Sequence, residues 1–89
     1  LPTIAFTRHL RQYLPITLQS FPGETLEALL VRVFTEYPSG RLYVLDEQGR
    51  LRRHIAIFVD GVMLQDRQSL NVPLRPDSEV YVMQALSGG

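Results

Sequence analysis

The residues best equipped for chemistry are the last ones. The sequence closes "EVYVMQALSGG", an alternating run that passes into Ser87, Gly88 and Gly89. Glycine adds nothing to packing and costs the most ordering entropy of any residue, so fold stability gives no reason for a terminal pair. Two glycines do let a backbone thread a narrow channel without Cβ clashes and present an unhindered carboxylate. That makes Gly89 the candidate reactive position, with Gly88 and Ser87 as the threading segment. A carboxylate is a poor acyl donor until activated, and nothing else in the chain can activate it. There is no phosphate-binding loop, no glycine-rich nucleotide fingerprint and no cysteine. The phosphate-binding and nucleophilic groups must come from a partner, and no cofactor is expected to bind the chain itself.

Other candidates are weaker. His9 and His54 lack a third ligand at metal spacing, so no metal site is expected. Asp60 and Asp66 read as turn formers. Ser69, Ser78 and Ser87 have no histidine and acid arranged around them as a nucleophile motif would require. "GRLRRH" (residues 49–54) is locally basic and has the forked donors that bind phosphate or carboxylate, but without interleaved aromatics it reads as a solvated turn.

Composition narrows the classes. The 89 residues make one domain, and the apolar fraction of 45% is enough for a core. Nine acidic residues balance nine basic ones, all arginine, so no general pull toward nucleic acid or a membrane is expected. No apolar run approaches the roughly 20 residues of a membrane span. Arg8 and His9 stand where a signal peptide would be apolar. The lack of cysteine fits a cytoplasmic setting. Leu1 in place of an initiator methionine implies a natural start that is processed or lies upstream.

The positioning elements follow from periodicity. "TIAFT" alternates with Ile4 and Phe6 inward, and "ITLQS" reads as a second short strand with Ile16 and Leu18 inward. "RHLRQYL" between them is a loop or one loose turn. Leu26, Leu29, Leu30, Val33 and Tyr37 form a helical stripe, capped by Thr25 and stopped by Pro38 and Gly40. Val31 and Phe34 fall off the stripe, which implies cover on more than one side of this helix. Residues 41–54 read as an irregular crossover with one turn at Glu47-Gln48-Gly49. "HIAIFVDG" is a strand with Ile55, Ile57 and Val59 on one face and Ala56 and Phe58 on the other. Asp60-Gly61 is a hairpin turn leading to a short return strand. Leu70 and Leu74 anchor the polar loop that follows. The last strand puts Val80 and Val82 inward and Tyr81 and Met83 outward. First and last strands are expected side by side and parallel. This order implies an α+β domain, one mixed sheet over one main helix. Ala56, Phe58, Tyr81 and Met83 then make an outward apolar patch, the kind of surface that marks partner docking.

With "GETLEALL" opening the helix, "IAIFVDG" before a turn and a final strand ending in Gly-Gly, nearly the whole chain resembles the MoaD/ThiS family of sulfur carriers. The long crossover with "LRRHIAIFVDG" resembles MoaD and the carriers of cysteine synthesis more than ThiS. The proline that such carriers often have before the glycines is absent. The resemblance implies a ubiquitin-like β-grasp fold and a non-enzymatic role. A MoeB/ThiF-like adenylyltransferase would use ATP to adenylate Gly89, and a thiocarboxylate would then form and pass sulfur to an accepting synthase. Two alternatives share the same fold: a ubiquitin-like modifier conjugated through Gly89, and an interaction module whose glycines are incidental. The absence of lysine rules out chains built on the protein's own lysines and favours the carrier.

Overall fold

Alternation places the strands where the pattern requires. The computed structural model describes residues 1–85. Strand β1 (Thr3–Phe6) buries Ile4 and Phe6. Strand β3 (Ile55–Val59) buries Ile55 and Ile57, and β5 (Glu79–Gln84) buries Val80 and Val82. The short strands β2 (Gln19–Ser20) and β4 (Val62–Met63) complete a five-stranded sheet of order β2-β1-β5-β3-β4. β5 is central, parallel to β1 and antiparallel to β3.

Helix α1 (Leu26–Glu36) begins where the Thr25 hydroxyl accepts the Ala28 amide at 3.1 Å. Its buried residues are Leu26, Leu29, Leu30, Val33 and Phe34, all within one core shared with the inner face of the sheet. Each such side chain contributes about 1.5–3 kcal/mol when fully withdrawn from water. Phe34 is buried, as expected of a helix covered beyond its stripe, whereas Val31 is exposed.

Two expectations are corrected. Leu18 is 68% exposed, not inward. Pairing begins only at Gln19; Ile16 is inward as expected, and Leu14 joins it in the core. The stretch before Pro15 holds the one loose turn expected there, a 3-10 turn at Leu10–Gln12, with Leu10 and Leu14 both buried. The crossover is not wholly irregular, because a 3-10 turn at Pro38–Gly40 runs into helix α2 (Arg41–Val44). A four-residue helix is too short to show a period. Beyond α2, the expected turn closes with Gly49 at φ 81°.

The Asp60-Gly61 turn is the tightest point of the framework. Both residues have positive φ, 52° and 83°, so Val59 pairs directly with Val62 across a two-residue connection. Asp60 also ties this turn to the start of β5. Its carboxylate accepts the Glu79 amide at 2.9 Å and the Ser78 hydroxyl at 3.0 Å, with Arg75 at 3.4 Å. The Glu79 amide, then Ser78 and Arg75, hold the Asp60 carboxyl below the usual carboxylate range. Asp46, accepting from Arg50 and Gln48, and Asp66, accepting from Ser69 and Gln68, are lowered by the same kind of backbone bond. A depressed folded pKa contributes stability that is complete above the unfolded value, about 3.9 for Asp. That stability drains away as pH falls from there through the folded value. Thermal melts of the wild type should lose temperature below pH about 4. Asp60→Ala should melt lower at neutral pH and show a shallower acid slope. An unchanged slope would remove Asp60 from the linkage.

Candidate functional site

The outward side chains of the sheet line up across strands. Register pairs Ala5 with Tyr81, Tyr81 with Phe58, and Phe58 with Met63. Extending the β1–β2 register by one residue puts Leu18 opposite Ala5. The result is one apolar row, Leu18, Ala5, Tyr81, Phe58, Met63, running across the open face. Ala56 pairs with Met83 in the adjacent row. Tyr81 is 43% exposed, whereas Phe58, Met83 and Ala56 are half-buried. An open groove of about 700 Å³ runs along this face, with Leu18, Ala5, Phe58, Tyr81 and Met83 in its lining.

All four expected patch residues thus share one face, although Ala56 stands beside the groove and does not line it. Leu18, Ala5 and Met63 were not anticipated there. For Ala5 the signal was present, since the period that turns Ile4 and Phe6 inward turns Ala5 outward. Leu18 faces outward, against the alternation that starts at Ile16, because strand pairing begins only at Gln19. Ser87, Gly88 and Gly89 lie outside the described residues.

The remaining candidates are structural. Ser78 is buried, donating to Asp60 and accepting the Arg75 amide at 2.8 Å. Asp66 accepts the amides of Gln68 and Ser69 at 3.0 and 3.1 Å. Among the described residues no group of three His, Cys, Asp or Glu could hold a metal ion, and no helix is long and apolar enough to cross a membrane. Two long-range contacts lie beyond sequence reading. Arg67 donates to the carbonyls of Arg52, Arg53 and Ile55, pinning the basic turn from the far side of the hairpin. Tyr13 and Tyr43 stack with centroids 3.6 Å apart and planes 10° from parallel, joining the 3-10 turn at Leu10–Gln12 to α2.

A mixed sheet with parallel first and last strands at its centre, wrapped on one main helix, is the ubiquitin-like β-grasp. Comparison with solved structures agrees across the full chain. One chain of the BexX/CysO complex of Amycolatopsis orientalis superimposes with a TM-score of 0.86 at 17% identity, covering 100% of both chains. CysO of Mycobacterium tuberculosis gives 0.83 at 20% identity, over 97% of this chain and 100% of that one. The small archaeal modifier protein 1 of Methanosarcina acetivorans gives 0.81 at 20% identity, over 99% and 95%. At these identities the likeness defines the fold. No family model matches the sequence, and no curated protein does.

Proposed function

We propose that this protein is a sulfur carrier whose Gly89 carboxylate is the reacting group and whose open sheet face docks the enzymes that act on it. The observation that carries this reading is the double role of β5. The strand that presents Tyr81 and Met83 to the open groove is the one that leads into Ser87-Gly88-Gly89. A partner seated on the row would hold the chain's last segment in a fixed direction.

The chemistry has two steps, both on a partner. A MoeB/ThiF-like adenylyltransferase would bind ATP. The Gly89 carboxylate would attack the α-phosphorus, forming an acyl-adenylate and releasing pyrophosphate. A sulfur nucleophile from a donor would then displace AMP, leaving a thiocarboxylate for an accepting synthase. The chain contributes an unhindered acyl group and a recognition surface, and it acts as substrate, not catalyst. The fold relatives support the reading: one is a small archaeal modifier protein, and another belongs to a complex of CysO with BexX. The likeness to an archaeal modifier keeps conjugation through Gly89 as the second reading.

Intact-mass analysis separates the two. Incubation with the adenylyltransferase, ATP and a sulfur donor should raise the mass by the difference between sulfur and oxygen, located in the C-terminal peptide. A modified internal peptide would defeat both readings. An isopeptide bond to another protein, with no sulfur gained, would favour the modifier.

A further inference from the structure

Zero net charge conceals a strong separation at the two ends of β5. Where β5 begins stand three acids, Asp60, Asp77 and Glu79, with the single Arg75 paired to Asp60 at 3.4 Å and to Asp77 at 3.6 Å. Where β5 ends, two segments distant in sequence meet. The Thr7 amide donates to Val82 at 3.0 Å, and the Gln84 amide donates to the Thr7 hydroxyl at 3.3 Å, which sets Arg8, His9 and Arg11 on one side. The Ala85 amide donates to the His54 carbonyl at 2.8 Å, which sets Arg52, Arg53 and His54 on the other. Neither segment, 7–13 or 50–56, contains an acid.

These side chains are available. Arg8, His9, Arg52, Arg53 and His54 are exposed and Arg11 is half-buried. Among the described residues the only ion pairs are those of Arg75, so Arg8, Arg11 and Arg53 have no carboxylate. Arg52 spends one donor on the Leu42 carbonyl and keeps its charge. Asp46, the acid that feels Arg50 and Arg52, is occupied by the amides of its own turn. Arg67 adds a guanidinium behind the Arg52–Ile55 backbone and holds that turn in place. A cleft of about 640 Å³ opens between Arg8, His9 and Gln12 and the edge of β5, and Met83 lines both this cleft and the apolar groove.

We propose that the end of β5 is a cationic collar that receives an acidic surface of the adenylating partner, a carboxylate entering the cleft beside Arg8 and His9 while the apolar row docks. This rests on the carrier reading for the partner's identity. The occupant is argued from charge complementarity and from the cleft's continuity with the row. Exposed guanidinium groups steer an oppositely charged surface and fix its orientation more than they add affinity. The second basic segment is therefore more than a solvated turn, since the fold brings it alongside the first.

Two measurements test the collar. Amide shifts of the full-length labelled chain are followed at low salt with a short polyglutamate peptide as probe. Shifts should concentrate around Arg8, His9, Arg53 and His54, with Arg32 and Arg75 as internal controls, and should vanish in Arg8→Glu/Arg53→Glu or at high salt. Equal shifts at every arginine would overturn the proposal. A stronger response to an oligouridylate of equal charge would overturn it in favour of nucleic acid. In the second measurement, adenylation kcat/KM of the double variant should fall by roughly tenfold or more at low salt and converge on the wild type at high salt. An unaffected rate would remove the collar from this interface. A wild type that is never adenylated would bring down the carrier reading alone, and the peptide titration would still decide the collar.

Discussion

Gly88→Val should give a protein that melts like the wild type and is not activated at all. A β-branched side chain narrows the backbone's freedom and fills a channel sized for glycine. Among the described residues the core runs from Ile4 to Val82, and a glycine brings no side chain to pack. Deleting Gly88 and Gly89 together should have the same two results for a simpler reason: no carboxylate then reaches the partner's nucleotide. Thermal melting and single-turnover adenylation, measured on the same preparations, provide the check. A structural role for the tail predicts the reverse pair, a lowered melting temperature with activation retained. Full activity in Gly88→Val would end the threading argument even if Gly89 carried the sulfur.

Phe58→Asp should all but abolish association with the adenylyltransferase. Phe58 lies in the apolar row between Tyr81 and Met63, so a docked partner would strip water from a carboxylate there. Leaving a charge unpaired in such an interface costs about 3 kcal/mol, roughly a hundredfold in affinity. Phe58 is half-buried in the free protein, so some stability is lost too. Tyr81→Asp separates the two effects, because Tyr81 is already 43% exposed and its replacement should leave melting nearly unchanged. Titration calorimetry with folded Tyr81→Asp should show the same loss of affinity. Wild-type affinity in that variant would take the row out of the interface.

Much of this architecture was legible where the signal is local. Period two turned Val80 and Val82 inward, and period 3.6 marked Leu26, Leu29, Leu30 and Val33. Thr25 and Asp60-Gly61 announced a cap and a turn through their own chemistry. What escaped depended on distant partners. Leu18 looked inward because alternation cannot say where pairing starts, and the pairing starts at Gln19 and not at Ile16. Arg67 looked like one more loop charge until the hairpin brought it under the carbonyls of Arg52, Arg53 and Ile55. Tyr13 and Tyr43 had no pattern in common before their rings stacked. The collar was half visible as "GRLRRH", and its other half lay in the opening segment. The patch residues were found because outwardness is the complement of a core pattern.

The parallel pairing of Thr3–Phe6 with Glu79–Val82 also has a temporal consequence. The first strand synthesised waits for the last, and its only other neighbour in the sheet is a strand two residues long. Such distant pairing makes folding slow and places its commitment late, since the loop must close before contacts reward it. A nascent or prematurely terminated chain without residues 79–84 has no central strand, and it also lacks Tyr81 and Met83 from the groove. A molecule that presents the whole groove has already been translated through Gln84, so folding itself screens out chains cut short of the central strand.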